Sequence, residues 1–145
     1  MNRLSFVVFT SLLMSGCSLF EKADHRYPSY VAAVQSQSWK GGWFPGLLPK
    51  DALNIRESHW IDRSSVIVSF EFGGDFKALL GTRCARLGGL EIKFSDMKAS
   101  WWPGNLYGEA FGSSHEYDYY RCSDNGVAYY ALPFGGSKAY FWRRS

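Results

Sequence analysis

The chain has 145 residues, with 16 basic and 13 acidic side chains and a formal net charge of +3. The balance is too mild, and the cations too scattered apart from Arg143-Arg144, for a nucleic-acid-binding surface. The length suits one domain with a real core and leaves no room for two, and 18% aromatic residues with 15 glycines suit a small β-rich domain.

Met1-Asn2-Arg3 is a short cationic start, Leu4 to Gly16 is apolar or small throughout, and Cys17 follows. This is the layout of a secretory signal peptide. The apolar run holds 13 residues, against the roughly 20 that a membrane-spanning helix needs. Its end, Leu13-Met14-Ser15-Gly16-Cys17, resembles the lipobox of bacterial lipoproteins, with Met14 where leucine is usual. The resemblance implies cleavage after Gly16, a diacylglyceryl group on the Cys17 sulfur and acylation of the new N-terminus, typically with palmitate. The membrane then becomes a partner through Cys17. Ser18 stands where an aspartate would retain a lipoprotein in the inner membrane, so in a Gram-negative host the resemblance implies the outer membrane, facing the periplasm. Cleavage leaves 129 residues, and loss of Arg3 lowers the net charge from +3 to +2. Of the three cysteines, lipidation removes Cys17 from the count. Cys84 and Cys122 remain as an even pair in an oxidising compartment, which predicts a disulfide.

Residues 1–16 thus read as the signal peptide, 17–38 as a lipidated tether and 39–145 as one globular domain. Trp39 to Pro49, rich in glycine and proline, predicts irregular chain pinned by its aromatic side chains. Leu53 to Ile61 alternates, with Leu53, Ile55, Glu57, His59 and Ile61 on one side, and predicts a strand. Asp62-Arg63-Ser64 makes a turn. Ser65 to Phe72, with Val66, Val68, Phe70 and Phe72 facing one way, predicts a half-buried strand paired to the first as a hairpin. Leu48-Pro49, Ala52, Ile55, Glu57 and Ile61-Asp62 resemble a pattern in small bacterial proteins. That resemblance implies the same hairpin-then-helix start and carries no activity.

After Gly73-Gly74, Asp75 can cap a helix in which Phe76, Leu79, Leu80, Cys84 and Leu87 share one face, with Gly88-Gly89 ending it. Leu90 to Phe94 predicts a short strand and Ser95 to Ser114 a long loop. Glu116–Cys122, Val127–Leu132 and Lys138–Trp142 predict a meander turned by Ser123-Asp124-Asn125-Gly126 and Pro133-Phe134-Gly135-Gly136. The fold class is α+β: an antiparallel sheet, made of an N-terminal hairpin and a C-terminal three-stranded meander, with one main helix packed on one face.

Chemistry-bearing patterns are sparse. His25, His59 and His115 each have acidic neighbours in sequence. Glu57 and His59 share a strand face and could form half a metal site, but zinc wants three or four converging ligands, so no metal and no cofactor is expected. Ser113-Ser114-His115 is adjacent only in sequence, and a nucleophile needs an oriented base. Glu109, Glu116 and Asp118 are the carboxylates that a small wall-glycan hydrolase would use. The stronger pattern is Trp101, Trp102 and Tyr107 in the long loop, flat apolar faces suited to sugar rings or to a partner's side chains. The reading is a non-enzymatic, lipid-anchored envelope binding protein with no catalytic residues, whose partner is an envelope protein or wall glycan. Its alternatives are an anchored inhibitor or immunity protein presenting Glu116 and Asp118 to an envelope-attacking enzyme, and the hydrolase.

Overall fold

The computed structural model describes residues 22–88, 92–108 and 116–144. Within them, β1 (Lys22–Ser29), β2 (Leu53–Trp60), β3 (Val66–Glu71), β4 (Ala85–Leu87), β5 (Tyr117–Ser123), β6 (Val127–Pro133) and β7 (Lys138–Arg143) form one sheet in the order β1-β2-β3-β7-β6-β5-β4. Every pairing is antiparallel. Three short helices accompany it: α1 (Tyr30–Val34), α2 (Gln37–Lys40) and α3 (Phe76–Arg83). The fold is therefore sheet-dominated α+β, without the single main helix that the sequence predicts.

Local chemistry sets most of these elements. β2 and β3 form the expected hairpin, closed where Trp60 N–H donates to the Ser65 carbonyl. β5 and β6 turn at Asn125 and Gly126, both with positive φ (49° and 116°), a conformation that Asn-Gly adopts at low cost. Ser29 and Ser36 cap α1 and α2 by accepting from Ala32 N–H and Trp39 N–H.

Both faces of the sheet are covered. On the first face, Ile55, Val66, Val68, Phe70, Tyr120, Tyr130 and Phe141 pack beneath Phe44, Leu48, Phe76 and Leu80 from the helices and the chain 41–52. On the second, Ile67, Tyr119, Tyr129 and Trp142 pack beneath Phe94, Met97, Trp102 and Leu106. β3 is thus buried on both sides rather than half-buried, because it pairs with both β2 and β7 under two roofs.

Several boundaries differ from expectation. Residues 22–38 are not a tether: β1 pairs with β2 from Lys22↔Trp60 to Ser29↔Leu53, and α1 and α2 follow directly. The helix ends at Arg83 rather than near Leu87. Cys84 is extended, and Ala85–Leu87 pair with β5, because the free edge of β5 offers a ladder to a segment weakened as helix by Gly81. Ile92 to Phe94 form no strand, while residues 89–91 lie outside the described residues. The long loop, as far as it is described, is the second roof, with one 3-10 turn at Gly104–Leu106. Cys84 and Cys122 are bonded, with Cα atoms 4.6 Å apart, compatible with the expected pairing. The bond ties the end of α3 to β5.

Candidate functional site

The alternation of β2 sends Ile55, Glu57 and His59 to the first face. Ile55 joins the core, but the next two positions bury a carboxylate and an imidazole, Glu57 fully and His59 to 6% exposure. Glu57 Oε1 lies 2.5 Å from His59 Nδ1. This contact orients the ring. The indole of Trp43 stacks on His59, with centroids 4.1 Å apart and planes within 8°. Gly42, at φ +73°, lets the chain turn back after α2 and lay Trp43 there. His25 stands opposite Glu57 on β1, its ring 6.2 Å from that of His59.

Arg143 completes the group. The cross-strand row runs His59, Val66, Arg143, so its side chain shares the first face. Its Nη2 donates to the Gly42 carbonyl at 3.1 Å. Burial lowers the guanidinium's pKa, and the charge of Asp124 works against that shift. Glu57 Oε2 and Arg143 Nη1 are buried without a hydrogen-bond partner. The arrangement is an imidazole and an indole held rigidly over a buried carboxylate, beside edge strand β1.

The other side of β1 carries a second indole. Asp24 projects to the second face, and its carboxylate accepts from Trp101 Nε1 at 3.3 and 3.4 Å. The expected binding trio is therefore divided. Trp101 is half-buried at the β1 edge. Trp102 is a core residue, 4% exposed, its Nε1 donating to the Leu106 carbonyl and its ring packed edge-on to Tyr140 and Trp142. Successive residues of the 99–102 turn face opposite ways, so one indole enters the core and its neighbour stays outside. Tyr107 is 39% exposed beneath the Lys98 ammonium.

The expected acidic surface is also rearranged. Asp118 is buried and ion-paired with Lys77 and Arg86, while Glu116 accepts from Asn105 Nδ2 at 2.9 Å. Among the described residues, no three His, Cys, Asp or Glu side chains are grouped to hold a metal ion. Cys17, Glu109, Ser113, Ser114 and His115 lie outside the described residues.

Sequence reasoning missed the burial of Glu57 and the roles of Trp43 and Arg143. The signal for Glu57 was present: it shares strand parity with Ile55, so the same alternation that buries Ile55 buries it. Nothing local marks Arg143, whose partner is about a hundred residues away in sequence.

A family model described as the YbbD head domain matches residues 21–71, about a third of the chain. The matched segment is similar to that family. It runs through β3 and contains His25, Trp43, Glu57 and His59, but not Arg143. No curated protein and no solved structure gave a match.

Proposed function

We propose that this is a lipid-anchored binding protein of the bacterial envelope, held by acylated Cys17 at the periplasmic side of the outer membrane, which recognises a partner without transforming it. The observation that carries the binding reading is the pair of indoles flanking β1. Trp43 is set by the Glu57–His59 contact and Trp101 by Asp24. Each ring is pinned to a group of the sheet, so little side-chain freedom is lost when a partner docks. Tryptophan is also the residue most enriched among energetic anchors of interfaces. Flat ring faces suit sugar rings, which makes wall glycan the first partner to test. The engagement of Asp118 with Lys77 and Arg86 supports a binding reading over a hydrolytic one, since a general acid needs a carboxyl free to exchange its proton with substrate. The envelope location rests on the lipobox resemblance.

The test uses the protein solubilised from membranes with its anchor intact. It should co-sediment with purified wall sacculi, and Trp43→Ala and Trp101→Ala should each weaken capture while unfolding stays cooperative. Release of glycan fragments during incubation would replace this reading with the hydrolase. Capture unchanged in both variants would remove the β1 edge from the site.

A further inference from the structure

We infer that the end of the sheet at which β1 begins lies against the bilayer, with Ile61 and Val127 as its apolar contacts and Lys22, Lys98 and Arg144 as its headgroup contacts. The inference rests on the reading of Cys17 as the lipidated residue.

The register defines this end. Lys22 stands opposite Trp60, whose N–H donates to Ser65. One step inward, Val66 pairs with Arg143 and Arg143 with Ala128, which puts Arg144 and Val127 on the terminal row. Val127 pairs in turn with Ser123. The row therefore reads Lys22, Trp60, Ser65, Arg144, Val127, Ser123 across the sheet. The β2–β3 turn, Ile61 to Ser64, and the β5–β6 turn, Asp124 to Gly126, project from it.

The chain reaches the sheet at this row. From Cys17 to Lys22 is five residue steps, at most about 18 Å when fully extended. β1 itself has eight residues, about 26 Å of strand. The link is shorter than the strand it feeds, so the lipid holds this end close to the headgroups and keeps the opposite end away from them.

Exposure alone does not choose between the ends. Leu53 and Phe134 are 51% and 57% exposed at the far end, as Ile61 and Val127 are 59% and 55% exposed at the near one. The surroundings differ. Near Ile61, Arg63 lies over the Trp60 ring at 4.7 Å, an indole and a cation at the polar boundary where interfacial tryptophans sit. Lys22, Lys98 and Arg144 are exposed, with Lys22 Nζ donating to the Lys98 carbonyl and the Lys98 ammonium over the Tyr107 ring, contacts that leave their charges at the surface. Of the acidic groups at this end, Asp62 lies 4.0 Å from Arg63, Asp24 accepts from Trp101, Asp124 from the Gly46 N–H, and Asp96 from the Ser65 hydroxyl. Apolar tips ringed by cations fit an anionic bilayer surface.

With Cys17 acylated and Cys84 bonded to Cys122, a cysteine placed at Ile61, Val127 or Phe134 is the only free thiol. The full-length variants Ile61→Cys, Val127→Cys and Phe134→Cys are labelled with an environment-sensitive fluorophore and reconstituted through their own lipid into phosphatidylethanolamine–phosphatidylglycerol vesicles. The labels at 61 and 127 should shift to the blue and be quenched by iodide several-fold less than the label at 134, and detergent should abolish the difference. Vesicle flotation and the mass of residue 17 are read on the same samples. No flotation and no acyl mass overturns the anchor together with this inference. Flotation with equal quenching at all three positions overturns the orientation alone. Protection at 61 and 127 that persists in detergent assigns this end to a protein contact and overturns the bilayer as its occupant.

Discussion

The first face of the sheet is closed by segments that come from distant parts of the chain, and the second by one continuous stretch. Among the described residues, the buried Glu, His, Asp and Arg side chains — Glu57, His59, Asp118 and Arg143 — all belong to the first face by strand parity. So does the Cys84–Cys122 bond. The second roof, residues 92–108, carries no buried charged side chain among the described residues, and its ties are both local, Trp102 to the Leu106 carbonyl and the Ser95 hydroxyl to Met97, and long-range, Trp142 Nε1 to the Lys93 carbonyl, the Ser65 hydroxyl to Asp96 and Trp101 to Asp24. It seats its rings on Tyr140 and Trp142. The difference follows from what each roof can bury. α3 contributes only Phe76 and Leu80 to the core, and the chain 41–52 is irregular. Such pieces gain little from apolar burial alone, and the buried polar pairs and the disulfide add to what fixes their placement.

The comparison predicts different modes of failure. His59→Ala leaves the Glu57 carboxylate buried and unpaired, and should cost about 3–5 kcal/mol in denaturant unfolding. The double variant Glu57→Leu, His59→Leu should recover most of that loss, because an apolar pair replaces a buried hydrogen-bonded one at little cost. Trp102→Ala should cost a similar amount, about 3–5 kcal/mol, through a cavity that no second substitution on a neighbouring strand repairs. The two losses should add, since the sites lie on opposite faces. A failure to add would show that the roofs are coupled through the sheet.

Removing the disulfide by Cys84→Ala with Cys122→Ala should cost about 4 kcal/mol on the chain-entropy account of a 38-residue loop. The loss should fall on the first face, read as faster hydrogen exchange in α3 than in residues 92–108.

Asp118 gives a pH-dependent test. Burial by itself raises its carboxyl pKa, but the hydrogen bonds and charges of Lys77 and Arg86 outweigh burial and hold it below the usual carboxylate value. Its contribution to stability is therefore present above the unfolded pKa of about 3.9 and is lost as pH falls through the lower folded value. Asp118→Asn should flatten that acid limb. Lys77 and Arg86 are more than half exposed, so salt should shrink the difference. The smallest expected effect is that of Trp101→Ala, about 1–2 kcal/mol from a half-buried ring, and here partner capture rather than stability should be the sensitive readout.

What could be read from the sequence follows the same division. The β2–β3 hairpin and the C-terminal meander are legible because alternation and turn residues are local signals. β1 is not: Lys-Ala-Asp-His-Arg-Tyr-Pro-Ser carries no apolar alternation, and the open edge of β2 makes it a strand. Its charges and Pro28 are those of an edge that resists further pairing. The end of α3 is set by the edge of β5, again a long-range effect. Trp101 and Trp102 have the same type and adjacent positions, so only the turn between 99 and 102 decides which is core. Arg143, adjacent to another arginine near the end of the sequence, reads as a solvated charge until Gly42 is placed above it.

The position of β7 has a consequence for how such a chain is made. The last strand in sequence lies in the middle of the sheet, between β3 and β6. A polypeptide emerging N-terminus first during synthesis can assemble β1–β2–β3 early and β4–β5–β6 later, each piece ending in an uncovered edge. The two pieces join only when Lys138 to Arg143 arrive to bridge them. Until then the half-sheets expose Ile67 and Val68 on one side and Tyr129 and Tyr130 on the other, surfaces prone to wrong pairing. The arrival of β7 is thus also the moment at which the described sheet becomes one cooperative unit, and a protease distinguishes chains that hold this strand from chains interrupted before it.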